Sequence, residues 1–254
     1  MSAQHDKIEA FHALHAGKSP LVLFNAWDAG SARIIAANGA RAIATGSWSV
    51  AAAHGADDGE ALPLALVLAN FRRIVATVNL PVTLDFEGGY ARDADGLAAN
   101  IAEVIEAGAV GINFEDQVVG GHGVYDIATQ AHRIRAVRDA AERRGVRLFI
   151  NARTDLFLQT TAHDEALVDA AIERARAYGQ AGASGVFVPG LVDERLIARC
   201  CAGAPLPVNI MMSAKAPAPG RLAALGVARL SHGPGPYRIA MHALGEAARA
   251  AHEV

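Results

Sequence analysis

The chain has 254 residues, 52% of them hydrophobic, and a formal net charge of −3. This balance lacks the excess of Lys and Arg that nucleic-acid-binding surfaces carry, so no nucleic-acid partner is expected. No apolar run reaches the roughly 18 residues that a membrane span needs, and residues 1–20 lack the apolar segment of a signal peptide. We therefore expect no membrane association and a cytoplasmic location. The two cysteines, Cys200 and Cys201, are adjacent, which predicts neither a disulfide framework nor a zinc cluster.

Short apolar runs alternate with helical patterns along the chain. Apolar residues at helical spacing occupy residues 62–78, 96–107, 129–144 and 163–181. The candidate strands cover residues 21–27, 42–47, 82–87, 111–116, 148–155, 185–190, 207–212 and 229–233. Strands that alternate with helices form right-handed βαβ units and a parallel sheet. The pattern predicts a single α/β domain over residues 1–254, a (β/α)8 barrel of the TIM type. An open doubly wound sheet is the alternative, but no G-x-G-x-x-G follows the first strand.

Glycines and two extra helices complete this pattern. Each of four glycines follows a helical stretch and precedes a strand, as glycines at helix C-termini do: Gly108, Gly145, Gly182 and Gly226. Two helices are predicted outside the eight units, at residues 4–17 and 236–252. These helices could cap the barrel or exchange with a partner subunit.

Carboxylates concentrate at the predicted C-terminal ends of the strands, where barrels of this type have their active sites. Asp85 and Glu87 are two residues apart on one strand, so their side chains leave from the same face. Glu115 lies at the matching end of the next strand. Three converging carboxylates repel one another, and a hard divalent cation relieves this, so the sequence predicts a site for Mg²⁺, with Mn²⁺ as the alternative ion. An ion pair of Asp85 or Glu87 with Arg153 is the competing interpretation.

Arg153 ends the fifth predicted strand, where its guanidinium can bind a substrate carboxylate or phosphonate in bidentate fashion. A salt bridge to Asp155 or Asp116 is the alternative, and both roles can coexist. Asn151 and Asn209 are candidate donors to the same substrate. A structural hydrogen bond is an equally good interpretation of each asparagine.

Two loops beside these strand ends are candidates for moving parts. Residues 48–60 (WSVAAAHGADDGE) are predicted to form a long loop that acts as a lid and brings Asp58 to the substrate. A solvated loop with two ordinary surface acids is the alternative. Residues 117–125 (QVVGGHGVY) form a glycine-rich loop that carries His122, a candidate acid–base group or substrate ligand.

Six segments together resemble the isocitrate lyase/phosphoenolpyruvate mutase superfamily, over the first two-thirds of the chain. They are WDAGSA at 27–32, GSWS at 46–49, GADDGE at 55–60, LDFEGGY at 84–90, NFEDQ at 113–117 and NARTD at 151–155. The resemblance implies a Mg²⁺-dependent barrel that makes or breaks C–C or P–C bonds of small 2-oxo or 2-hydroxy carboxylates through an enolate. It also implies a homo-oligomer, a dimer or tetramer, in which the C-terminal helix is exchanged between subunits.

The resemblance also implies a role for each matching residue. Asp85, Glu87 and Glu115 would form the metal site, with Asp85 close to the substrate as well. Asp58 would lie on the gating loop, and Arg153 would bind the second anionic group of the substrate. The residues that would bind the carboxylate end of the substrate are Gly46, Trp48 and Ser49.

The chain departs from this superfamily in the loop after the fourth strand. The C–C lyases carry K-K-C-x-H there, with the Cys as acid–base group, and mutase-like members carry Lys and Asn. QVVGGHGVY has none of these, and only His122 could transfer a proton. The sequence predicts a lyase or decarboxylase that uses a metal-stabilised enolate, with Asp58 or His122 moving protons. A phosphonate mutase or hydrolase and a non-catalytic carboxylate-binding barrel are the alternatives.

Overall fold

The computed structural model describes residues 2–17 and 19–253, and its centre is a sheet of eight parallel strands. The strands are β1 (Leu21–Leu23), β2 (Ile43–Ala44), β3 (Val82–Asp85), β4 (Gly111–Glu115), β5 (Phe149–Arg153), β6 (Gly185–Phe187), β7 (Val208–Met211) and β8 (Arg229–Ser231). Their order is β1-β8-β7-β6-β5-β4-β3-β2. A parallel bridge between Ala26 and Thr45 joins the two ends of this order. The sheet is a nearly closed barrel, and each strand lies inside its predicted segment.

Ten α-helices surround the strands in the described part of the chain. They are α1 (Ser2–His15), α2 (Ala29–Ala37), α3 (Ser47–Ala53), α4 (Leu64–Thr77), α5 (Ala94–Glu106), α6 (Ile127–Arg143), α7 (Glu165–Gln180), α8 (Glu194–Gly203), α9 (Pro219–Ala224) and α10 (Gly235–His252). An aspartate side chain accepts a backbone N–H at the start of five of them, at Asp28, Asp93, Asp126, Asp164 and Asp193. These caps satisfy N–H groups that have no partner within the helix.

The junctions from helix to strand follow the sequence pattern. Gly108, Gly145, Gly182 and Gly226 have φ angles of 97°, 69°, 104° and 89°. This left-handed region strains residues that have a Cβ atom. The prediction that these glycines end helices is confirmed.

The prediction for residues 48–60 was wrong in its first half. Ser47–Ala53 forms α3, which begins directly after β2. The run of alanines in this segment has high helix propensity, and the glycines come only after it, at Gly55 and Gly59. The loop that remains begins at His54 and carries Asp58.

The helix α1 closes the N-terminal end of the barrel. The ring of Phe11 lies 5.3 Å from that of Phe149 in an edge arrangement, and the imidazole of His15 stacks on Phe149 at 4.0 Å. Phe11 and Phe149 belong to one buried cluster with Ile8 and Leu21. The first extra helix therefore caps the barrel.

The helix α10 follows β8 and is largely exposed. Ile239 and Leu244 are 65% and 60% exposed, so the described residues leave an apolar part of this helix uncovered. Its exchange between subunits stays a prediction. Within residues 2–17 and 19–253, the helices lack the combination of length and apolar character needed to cross a membrane.

Candidate active site

A cavity of about 150 Å³ lies at the C-terminal ends of the strands. It is smaller than the sites that hold drug-sized ligands, which favours a small metabolite. Six of the residues that the sequence predicted for the site line it: Gly46, Trp48, Ser49, Asp58, Asp85 and Arg153. The structure thus brings together side chains from α3, the loop after it, and the ends of β3 and β5.

Asp85 ends β3 and lines this cavity. Its backbone N–H donates to Thr45 Oγ1 at 2.9 Å, which fixes the end of the strand beside β2. Its Oδ2 accepts from the backbone N–H of Ser47 at 3.0 Å, and its Oδ1 accepts from Asn113 Nδ2 at 3.4 Å. Among the ion pairs of the described residues none includes Asp85. Its carboxylate therefore keeps lone pairs and charge available for a ligand.

Glu87 holds the loop after α3 against the end of β3. Its Oε2 accepts the backbone N–H groups of Gly59 and Glu60 at 2.9 and 2.7 Å, and its Oε1 accepts the hydroxyl of Tyr90 at 2.7 Å. Burial raises the pKa of Glu87 to about 7; the charge of Asp85 adds to this rise, and the Tyr90 hydrogen bond opposes it. Glu87, Glu60 and Tyr90 have φ angles of 50°, 63° and 56°, which are unusual for residues other than glycine.

Glu115 and Arg153 are paired at the ends of β4 and β5. Arg153 Nη1 lies 2.9 Å from Glu115 Oε2, while Arg153 Nε and Nη2 donate to Asp155 Oδ1 and Oδ2 at 2.5 and 2.8 Å. The pairing with Asp155 that the sequence left open is confirmed, whereas Asp116 pairs with Arg174 at 3.0 Å. Burial raises the pKa of Glu115 and the charge of Arg153 opposes the rise. Burial alone lowers the pKa of Arg153, but the charges of Glu115 and Asp155 raise it above its ordinary value.

The chemistry of this donor set fits a hard divalent cation. Burial raises the pKa of Asp58, and the charge of Asp85 adds to this rise, as it does for Glu87. A bound cation would offset the repulsion between these acids. Within the described ranges, no three His, Cys, Asp or Glu side chains lie close enough to hold one ion together. A cation beside Asp85 would therefore keep water in much of its coordination shell, as Mg²⁺ usually does.

Five predicted residues are not among the described residues that line the cavity: Glu87 and Glu115, whose contacts are given above, and Asn151, Asn209 and His122. Asn151 Nδ2 donates to Asn113 Oδ1 at 2.9 Å, and Asn209 Nδ2 donates to Ser231 Oγ at 3.1 Å, inside the barrel. His122 is exposed in the turn between Gln117 and Val124, which pair as an antiparallel bridge.

Sequence reasoning missed a polar network below the cavity. Arg229 is 1% exposed and donates to Asn113 Oδ1 and Ser231 Oγ, both at 3.1 Å. Burial lowers its pKa to about 9. Asn113 and Ser231 line the cavity, as does Asn25. The available signal was a charged residue inside the apolar strand segment VARLS.

The side of the cavity formed by the ends of β5, β6 and β7 is mainly apolar. Leu158, Phe187, Pro189 and Met211 line it there. Arg153 stands between this apolar wall and the acids, with its guanidinium 6.0 Å from the centroid of the Phe187 ring. We call Leu158, Phe187, Pro189 and Met211 the apolar wall.

Comparison with known proteins agrees with this architecture. Residues 11–252 match the family model of phosphoenolpyruvate phosphomutase. The chain is 36% identical over 245 residues to an uncharacterized protein of Mycobacterium tuberculosis, covering 95% of this chain and 88% of that one. It is 31% identical over 194 residues to the 2-methylisocitrate lyase of Escherichia coli, covering 74% and 64%. A crystal structure of a "putative phosphonomutase" from Burkholderia cenocepacia J2315 has a TM-score of 0.95 at 49% identity, covering 98% and 99%.

The chain therefore belongs to the phosphoenolpyruvate mutase/isocitrate lyase superfamily. This superfamily includes lyases, decarboxylases, hydrolases and phosphonomutases. Its members typically use Mg²⁺.

Proposed function

We propose that this chain is a Mg²⁺-dependent lyase or decarboxylase that acts on a small 2-oxo or 2-hydroxy carboxylate through an enolate. The observation that carries this proposal is Asp85, which lines the cavity with no ion-pair partner among the described residues. Asp85 would hold the cation, with Glu87 and Glu115 acting through water. When bound there, Mg²⁺ or Mn²⁺ supplies positive charge that stabilises a developing enolate oxygen.

The carboxylate end of the substrate is assigned to the start of α3. Ser49 is 1% exposed, and its hydroxyl has no partner among the described residues. Buried hydroxyl groups normally have a partner, so this one is free to donate to a ligand. Gly46 and Trp48 line the cavity beside Ser49 and complete this part of the site.

Asp58 is the candidate for proton transfer. It lines the same cavity on the loop that Glu87 holds in place, so a substrate there would lie within its reach. Its raised pKa, caused by burial and by Asp85, brings it closer to the pH at which a general acid works well. For His122 to transfer the proton instead, the turn between Gln117 and Val124 would have to fold over the cavity.

A phosphonate mutase or hydrolase is the second candidate. The 49% identity with the Burkholderia cenocepacia protein favours it. A barrel that binds carboxylates without turnover is the third, and it would share the cation site. The second candidate would form products from phosphonates and the third would form none, so assays with 2-oxo acids and phosphonates distinguish both from the leading proposal.

The direct test is a calorimetric titration of Mg²⁺ into metal-free protein, with and without oxalate, which mimics a planar enolate carboxylate. We expect Mg²⁺ and oxalate to strengthen each other's binding. Asp85→Ala should weaken both by about a hundredfold or more, because it removes the carboxylate that is available to the cation. Asp95→Ala, which removes an exposed carboxylate on α5, is the matched control and should change neither. Oxalate binding that needs no Mg²⁺, or that survives Asp85→Ala, would contradict the proposal.

A further inference from the structure

We infer that Asn113 and Ser231 bind an anionic oxygen of the substrate, and that the buried Arg229 is the positioning residue that supplies positive charge to both. We call Asn113 and Ser231 the cavity floor. The inference rests on the proposed function, because it concerns the substrate of the same site. Three observations carry it: the hydrogen bonds of Arg229, its lack of a counter-ion, and the orientation that it imposes on Asn113.

Arg229 is a buried cation without a carboxylate partner. Its side chain on β8 donates through Nη2 to Asn113 Oδ1 and through Nε to Ser231 Oγ, both at 3.1 Å. None of the ion pairs of the described residues includes Arg229, and its Nη1 has no partner among these residues. Burial lowers its pKa to about 9, so the guanidinium keeps its charge at pH 7. A buried charge in this state is costly, and an anion in the adjacent cavity would offset that cost.

Arg229 also determines which way the amide of Asn113 points. A guanidinium has donors only, so the Asn113 atom that faces it must be the oxygen. Asn113 Oδ1 accepts from Asn151 Nδ2 as well, at 2.9 Å. One N–H of Asn113 Nδ2 donates to Asp85 Oδ1 at 3.4 Å, and the second has no partner among the described residues. Because Asn113 lines the cavity, this second N–H is available to a ligand.

Ser231 is polarised by the same guanidinium. Its Oγ accepts from Arg229, so its hydroxyl hydrogen must point elsewhere, and Ser231 also lines the cavity. Hydrogen bonds in a chain strengthen one another inside a protein, so the charge of Arg229 makes both floor residues better donors. The apolar wall has no side-chain donor, so an anionic oxygen gains contacts at the cavity floor that this wall does not provide.

Two variants of Arg229 test its charge and its donors. Calorimetry measures the affinity of Mg²⁺ alone and that of oxalate at saturating Mg²⁺. Arg229→Gln should weaken oxalate binding about tenfold or more, because the charge is lost and an amide that can also accept no longer fixes Asn113. Arg229→Lys keeps the charge and has donors only, so its oxalate affinity should stay within about threefold of that of the wild type.

The affinity for Mg²⁺ alone separates this role from a purely structural one. Removing a positive charge does not repel a cation, so Arg229→Gln should bind Mg²⁺ at least as tightly as the wild type. General loosening of the site would weaken the binding of both ligands. Arg138→Gln is the matched control, because Arg138 is also buried, donates to the carbonyl groups of Leu148 and Gly182, and lies outside the cavity lining. It should keep both affinities.

Asn113→Ala tests the cavity floor while Arg229 stays in place. It removes the N–H that we assign to the substrate, so oxalate should bind about tenfold more weakly at saturating Mg²⁺. This variant decides the inference even where Arg229→Gln does not fold. An unchanged oxalate affinity in Asn113→Ala would overturn the inference.

The outcomes separate this inference from the proposed function. If Arg229→Gln and the wild type bind oxalate equally well with Mg²⁺, the inference is wrong and the proposed function stands. Equal losses of Mg²⁺ and oxalate affinity in Arg229→Gln would show that Arg229 contributes only to stability, and would also overturn the inference. If the wild type does not bind oxalate with Mg²⁺, the proposed function is wrong, and this inference with it.

Discussion

The two ends of the barrel bury ionisable groups in different settings. At the N-terminal end, His15 is 6% exposed and stacks on Phe149, and burial lowers its pKa to about 3. At the C-terminal end, burial raises the pKa of Glu87 to about 7 and raises that of Asp58. Burial favours the uncharged form at both ends. The difference is that Asp58 and Asp85 face a cavity that a cation can enter, whereas His15 packs against aromatic rings.

This comparison separates buried ionisable groups that can contact a ligand from those that contribute only to stability. Arg153 belongs to both groups, because it lines the cavity while its guanidinium is bound by Asp155 and Glu115. The following variants test the distinction, beginning with the largest expected change in free energy.

Arg153→Met should lower the free energy of unfolding by about 3–5 kcal/mol, because it leaves two buried carboxylates without a counter-charge. Urea unfolding monitored by circular dichroism measures this loss. Arg199→Met, which breaks the exposed pair of Arg199 and Asp169, is the matched control and should change stability little. Equal losses in the two variants would mean that the ion pairs of Arg153 with Glu115 and Asp155 stabilise the protein no more than an exposed pair does.

His15→Leu should reduce the sensitivity of the protein to acid. In the folded protein the pKa of His15 is about 3, below the ordinary value of 6.5, so the unfolded chain binds a proton between these values that the folded protein does not. Stability therefore falls as pH drops below 6.5, by about 2 kcal/mol at pH 5 from this group. Urea unfolding at pH 7 and pH 5 should show this loss in wild type but not in His15→Leu.

The exposed His5 on the same helix provides the control for that experiment. His5→Leu should keep the wild-type loss of stability between pH 7 and pH 5. If His15→Leu keeps it as well, the buried imidazole is not the group that destabilises the N-terminal end in acid.

Tyr90→Phe removes the hydroxyl that donates to Glu87 at 2.7 Å. We expect a loss of about 1 kcal/mol in stability, since one buried hydrogen bond disappears. Because Glu87 also holds Gly59 and Glu60, amide hydrogen exchange in the loop after α3 should become faster. Tyr237→Phe, at a tyrosine that packs on Trp27 and Trp48, should leave this exchange as it is. Identical exchange in both variants would show that Glu87 does not hold the loop through Tyr90.

Much of the barrel could be predicted from local patterns. Apolar runs placed the eight strands, and the glycines at 108, 145, 182 and 226 placed the junctions, because both depend on short segments. The helix α3 was missed because its alanines are followed by a glycine-rich stretch that masks them. No bounds were predicted for α2, α8 and α9, which have 9, 10 and 6 residues, although Gly226 marked the end of α9.

Residues of the candidate site could be predicted where they lie at the C-terminal end of a strand. Asp85 and Arg153 were found by that rule, and both line the cavity. Asn151 and Asn209 bond to other side chains inside the barrel and do not line the cavity, because alternation along a strand gives the face of a side chain but not its depth in the barrel. The bond between Arg229 and Asn113 joins residues 116 positions apart, which no local pattern shows.

The central claim is that this cavity supports an enolate, and hydrogen–deuterium exchange tests it most directly. The C3 protons of 2-oxobutanoate in D₂O are followed by ¹H NMR with protein and Mg²⁺, with Mg²⁺ alone, and with the Asp85→Ala variant. Formation and reprotonation of an enolate replaces these protons with deuterium, so we predict exchange that requires wild-type protein together with Mg²⁺. Exchange no faster than with Mg²⁺ alone, in protein that binds oxalate and Mg²⁺, would contradict the account.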